Sequence, residues 1–225
     1  MILLHGYPGT GKTYAAGAIA NTLGKPLIGI EASRLRDKYY GETQNIIKDT
    51  FTKIRLVHAK EENPPVFLLN EADQLIHARQ ELNGGSASET ENAIQNIILD
   101  ELETLPGIFI ATTNLMSNLD EAFMRRFHLK LEFEKPDYYC QLKLWKLHLP
   151  NTIPGVGKID ISCLVKHFDL TGGQIRIVVE NACSEAICRK GNSQKLSLQD
   201  LIKYAELESG VVSVTLSQKK IGFSL

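Results

Sequence analysis

The segment GYPGTGKT, Gly6 to Thr13, stands between the apolar run ILL and the helical pattern YAAGAIANTL. It satisfies every fixed position of G-x-x-x-x-G-K-[ST], and it sits where that motif's mechanism needs it, after a strand and at the start of a helix. Gly9 and Gly11 let the backbone curl so that successive N–H groups converge on one point. The helix N-terminus adds its positive end. Such a loop cradles phosphate oxygens, so Pro8, Gly9, Thr10, Gly11, Lys12, Thr13 and Tyr14 are the candidate nucleotide-binding residues. Lys12 can reach the β- and γ-phosphates, and Thr13 can offer its hydroxyl to Mg²⁺. The motif dictates strand, tight turn and helix in succession, which starts the chain in the α/β class.

That succession continues. PLIGI reads as a strand, and TQNIIKDTFTKIRLVHA carries apolar residues at helical spacing from about Thr43. PPVFLLN is strand-like after its prolines, ENAIQNIILDELETL is amphipathic, and GIFIATTN is the next apolar strand. Strands alternating with helices predict a mostly parallel sheet covered on both faces. Between these elements ARQELNGGSASET reads as a polar, Gly/Ser-rich surface loop. After LKLEFEKPD the pattern changes: Pro136 breaks the chain, and YYCQLKLWKLHL, DISCLVKHF, GQIRIVVENACSEAICRK and SLQDLIKYAELE all read as helices. The expected organisation is an α/β nucleotide-binding domain over 1–135, a small all-helical domain over 136–208 and a tail over 209–225. The tail SGVVSVTLSQKKIGFSL alternates like a strand.

Composition narrows the function classes. A chain of 225 residues with 43% hydrophobic and 23% charged content can build a real core. Its formal net charge of -1 gives no general basic footprint for nucleic acid or for an anionic membrane. No apolar run approaches a membrane span. The four cysteines, Cys140, Cys163, Cys183 and Cys188, include no C-x-x-C pair, and buried reduced thiols in a cytoplasmic protein are the expectation. The motif alone leaves kinases, GTPases and ATPases open, but the chain has no guanine-reading N-K-x-D and no evident Arg-rich lid.

In VFLLNEADQL, four apolar residues run into Asn70-Glu71, as when a buried strand delivers side chains to a site. Asp73 follows closely and could either support a metal or cap the next helix.

Taken in order, GYPGTGKT, VFLLNEAD, IATTN, LDEAFMRRF and LTGGQI resemble an AAA+ ATPase over nearly the whole chain. The resemblance implies a five-stranded parallel αβα sandwich followed by a small helical lid. Nucleotide would lie between the two, at the edge of a neighbouring subunit. It implies that Glu71 is the catalytic carboxylate that polarises the attacking water. Asn70 falls where the family has a metal-supporting Asp; Asn is found at this step in a bacterial branch with similar motifs. An amide oxygen can accept a hydrogen bond but carries no charge, so the metal should be held less firmly. Asn114 matches the γ-phosphate sensor. Arg125 and Arg126 match the segment from which an arginine reaches into the next subunit's site. Gly172 and Gly173 would start a helix close to the nucleotide, with Ile175 against base or ribose and Arg176 as a possible phosphate contact. In DKYYGETQ, Tyr39 and Tyr40 resemble the client-gripping pair of a pore loop, on a loop ahead of the helix. Family members carry sequence before the first strand that helps enclose adenine. Here five residues precede Gly6, so either upstream sequence is missing or the adenine pocket is half open.

The expectation is an ATP- and Mg²⁺-dependent ATPase, acting as a homo-oligomer, a hexameric ring, on a protein client. One alternative is an ATP-binding switch with little or no hydrolysis. A DNA-loading ATPase is weaker, because no basic stripe or nucleic-acid motif is visible.

Overall fold

The computed structural model of the chain describes residues 1–35, 40–76, 86–191 and 194–210. Two compact units divide it, Met1–Glu134 and Lys135–Leu225.

In the first unit, strands β1 (Ile2–Gly6), β2 (Leu27–Glu31), β3 (Val66–Asn70), β4 (Phe109–Thr113) and β5 (Leu129–Phe133) form one sheet in the order β2-β3-β4-β1-β5. Every pairing is parallel. The three middle strands read as nearly unbroken apolar runs because both of their faces are covered. On one face Leu3, Phe67, Leu69 and Phe109 pack under helices α2 (Tyr40–Lys60) and α3 (Ser86–Glu103), which contribute Ile47, Phe51, Ile98 and Leu102. On the other, Leu4, Leu68 and Ile110 meet Ala16 and Ala20 of helix α1 (Lys12–Thr22). The small residues of α1 let it lie close to the strands. This is the expected αβα sandwich with five parallel strands.

Two glycines are required at the ends of these elements. Gly6 closes β1 at φ 129°, and a Cβ there would stand 2.2 Å from the backbone oxygen of Phe133. Gly24, at φ 65°, ends α1, with its N–H bonded to Asn21 O at 3.0 Å and that of Lys25 to Ala20 O at 2.9 Å.

A short helix α4 (Glu121–Met124), capped by the Asp120 carboxylate, leads into β5. The second unit contains α5 (Tyr138–His148), α6 (Ile161–His167), α7 (Gly172–Cys188) and α8 (Leu198–Ser209) around Trp145, Leu164, Val178 and Leu201, all fully buried. Thr171 and Gln174 form a capping box on α7, as Ser197 and Asp200 do on α8. Arg189 joins the two helices by donating to Asp200 and to Glu185.

Two boundaries differ from expectation. Helix α2 begins at Tyr40 rather than near Thr43, so Tyr40 is helical and not on a preceding loop. Glu42 in its first turn favours the earlier start, because the helix N-terminus carries partial positive charge. Helix α3 starts at Ser86, so the polar SASET lies in helix instead of loop. Ser, Glu and Thr suit a first helical turn as well as they suit a loop. Tyr39, residues 77–85 and the alternating tail from 211 lie outside the described residues.

Candidate nucleotide site

The sheet order inserts β4 between β1 and β3, so three strand ends open toward one place. Beyond Gly6 the chain forms the glycine-rich loop. Gly9 at φ 73° and Gly11 at φ 94° take the left-handed conformation that a β-carbon disfavours. Gly11 is the N-cap of α1 and offers no side chain to its first amides, and the first turn holds no acid. Helices α4 to α8 differ: each has a side-chain cap, from Asp120, Asp137, Asp160, Thr171 and Ser197. The start of α1 is thus left open to an external anion.

Lys12 is buried, and its ammonium donates to the carbonyls of Gly6 at 2.9 Å and Tyr7 at 2.7 Å. Burial pulls its pKa below the usual lysine range, and the Asp73 carboxylate opposes that. Thr10 donates to Tyr7 O at 2.7 Å, which tightens the loop. Pro8 and Gly9 are exposed, and Tyr14 stands in solvent.

From the next residue, Thr13, the hydroxyl donates to Asn70 Oδ1 at 3.2 Å, bridging the loop to the end of β3. Thr112 on β4, buried at 3% exposure, donates to the same oxygen at 3.2 Å. Its own oxygen accepts the Glu71 N–H at 3.2 Å. Glu71 sits at φ 55°, ψ 51°, the one non-glycine among the described residues with positive φ. A left-handed glutamate stores backbone strain, and such strain gathers at functional positions. Its exposed carboxylate accepts from the Gln74 side chain in the following turn.

Among the described residues Asp73 caps no helix and lies inside the short turn Ala72–Gln74. Its carboxylate accepts from Thr113 Oγ1 at 2.7 Å and from the Asn114 N–H at 3.4 Å, tying the β3 turn to the end of β4. Asn114 is half-buried there. Sequence reasoning had not singled out Thr112, Thr113 or Gln74. The visible signal was a pair of hydroxyls closing an otherwise apolar strand, FIATT.

A hard divalent cation fits this donor set. Thr13 Oγ1 and Asn70 Oδ1 lie 3.2 Å apart, the hydroxyl donating to the amide oxygen. Among the described residues no group of three His, Cys, Asp or Glu could hold a metal by itself. A sparse oxygen pair suits Mg²⁺, which keeps several waters and shares phosphate oxygens.

The two arginines differ. Arg125 is 72% exposed and pairs with Glu121 one turn earlier at 2.6 Å. Arg126 is held within its own unit by the Ala122 carbonyl at 2.7 Å and by Glu103. In the helical unit, Gly172 and Gly173 open α7, Ile175 is wholly buried in that unit's core, and Arg176 lies 3.8 Å from Glu180 in an exposed pair.

The profile described as "ATPase family associated with various cellular activities (AAA)" matches residues 2–135. Subunit RPT4 of the 26S proteasome from Saccharomyces cerevisiae is 32% identical over 212 residues, 90% of this chain and 46% of that protein. Protein SAV from Sulfolobus acidocaldarius is 28% identical over 213 residues, 92% of this chain and 26% of that protein. Protein CdcH from Halobacterium salinarum is 30% identical over 194 residues, 84% and 24%. The chain therefore spans less than half the length of these relatives.

Proposed function

The chain belongs to the ATPase family associated with various cellular activities, and from the geometry of its strand ends we propose that it binds ATP with Mg²⁺ and hydrolyses it. One observation carries this reading: a strained Glu71, held by Thr112, lies next to an Asn70 that is bonded to the phosphate loop through Thr13.

The open amides at the start of α1 and the Lys12 ammonium bind the polyphosphate. Lys12 exchanges its loop carbonyls for phosphate oxygens, a stronger, charge-assisted pairing. Thr13 would hold Mg²⁺ through its hydroxyl oxygen, with Asn70 supporting the site by accepting the Thr13 proton, and the ion when bound would neutralise charge on the phosphates. Glu71 orients the attacking water and accepts its proton, and its left-handed backbone turns the carboxylate off the line of β3. Asn114 contacts the γ-phosphate. Gly173 and Ile175 are proposed nucleotide contacts, the latter requiring rearrangement of a buried side chain.

Arg125, the more exposed arginine, acts in trans on a neighbouring copy, which makes a ring oligomer, a hexamer, the working form. Tyr39 and Tyr40 grip a protein client. No described helix is long and apolar enough to cross a membrane, and a cytoplasmic location is proposed. Asn70 in place of Asp puts the chain, on this reading, with the bacterial branch.

The second reading, an ATP-binding switch, is favoured by the uncharged Asn70. Steady-state phosphate release over a range of protein concentrations separates the two. The enzyme reading expects turnover per chain to rise with concentration and to vanish in Glu71→Gln. ATP binding without turnover at every concentration leaves the switch.

A further inference from the structure

We propose that Thr112 is a positioning residue that turns the Asn70 amide so that its oxygen, and not its nitrogen, faces the phosphate loop. The inference rests on the nucleotide reading above and adds a requirement specific to this chain.

An amide presents two chemically opposite ends of nearly equal size. A carboxylate at this position would offer an acceptor whichever way it rotated. Asn70 must be oriented, because with its NH₂ toward Thr13 it would repel a cation rather than support one. The hydrogen bonds around it decide the matter. Thr112 is enclosed, so its hydroxyl proton needs an acceptor nearby. Its oxygen already receives the Glu71 N–H at 3.2 Å, and its proton goes to Asn70 Oδ1, also at 3.2 Å. That fixes the oxygen on the side of Thr13, whose hydroxyl donates to the same atom at 3.2 Å.

The consequence reaches the metal. A hydroxyl that gives its oxygen to a cation must send its proton elsewhere, and Asn70 Oδ1 receives the Thr13 proton. Thr112 thus prepares Thr13 as a metal ligand by holding in place the one amide oxygen to which both hydroxyls donate. Thr112 Oγ1 also accepts the Glu71 N–H, so one side chain on β4 sets the orientation of both residues at the end of β3.

A double-mutant comparison tests this, read as the Mg²⁺ concentration giving half-maximal binding of a fluorescent, non-hydrolysable ATP analogue. Thr112→Val keeps the shape and removes the hydroxyl. In the native background it is expected to raise the Mg²⁺ requirement about five- to tenfold, the weight of one orienting hydrogen bond. Thr112→Ser should restore it. In the Asn70→Asp background, where both ends are acceptors, Thr112→Val should change the requirement less than about twofold. An equal shift in both backgrounds, no shift in either, or a Ser variant that behaves like Val overturns the proposal. Should the Val variant not fold, Thr112→Ala makes the same comparison. A native chain that binds no nucleotide at any Mg²⁺ concentration instead removes the nucleotide reading itself, and is seen before any variant is made.

Discussion

Glu71 holds a conformation that its side chain disfavours, and the residues around it account for how it stays there. Its N–H is bonded to Thr112 and its carboxylate to Gln74, two hydrogen bonds that support the turn after β3. Relieving the strain should therefore separate stability from activity. Glu71→Gly is expected to stabilise the α/β unit by about 0.5–1 kcal/mol, since glycine accepts positive φ freely, while abolishing phosphate release. Glu71→Gln keeps the strain and should lose turnover with no gain in stability. Urea unfolding of the three proteins decides this, and a Gly variant less stable than the native chain would refute the strain argument. Gly6 is the opposite case. Its missing β-carbon admits the Phe133 carbonyl, so the phosphate loop can leave β1 beside the edge strand β5.

Helix ends divide into closed and open ones. Those of the helical unit are closed by Asp137, Asp160, Thr171 and Ser197, whereas α1 begins on bare glycine. The start of α8 is joined to the end of α7 through Asp200. Its hydrogen bonds from Arg189, with further help from Ser197, hold its pKa down to about 2. A carboxyl depressed on folding stabilises above its ordinary pKa of 3.8 and loses that contribution as pH falls toward the folded value. The helical unit should accordingly weaken between about pH 4 and pH 2. Asp200→Asn should destabilise it at neutral pH by about 2 kcal/mol and flatten that acid limb. Trp145, the chain's one tryptophan, is fully buried in this unit and reports its unfolding by fluorescence. An Asn variant with the native acid dependence would show that Asp200 is not the group responsible.

The described residues form three apolar clusters, one on each face of the sheet and one around Trp145. Within the first unit the site carries an acid, an amide, a lysine and hydroxyls, while the exposed Arg125 pairs with Glu121 at the start of the short helix before it. If the arginine works in trans, two damaged chains should repair each other. Arg125→Ala and Glu71→Gln, each inactive alone, are expected to regain a measurable fraction of native phosphate release when mixed. In the mixture some interfaces join an intact Glu71 to an intact Arg125. Mixtures as inactive as their components, with oligomers shown to exchange subunits, would refute assembly of the site between copies.

The phosphate loop, the alternation of strands and helices and the change after Pro136 could all be read along the chain, because each depends on near neighbours: glycine φ, apolar period, a proline. Asn70, Glu71 and Asn114 were also visible, each ending an apolar strand. Strand order was not, since parallel partners lie far apart in sequence and only packing selects β4 as the neighbour of both β1 and β3. From that order came everything Thr112 and Asp73 do. A threonine inside FIATT looks like ordinary strand composition until the sheet sets it against Asn70, 42 residues away. Hydrogen bonds reach only about 3 Å, so which polar side chains meet is decided by the folded backbone.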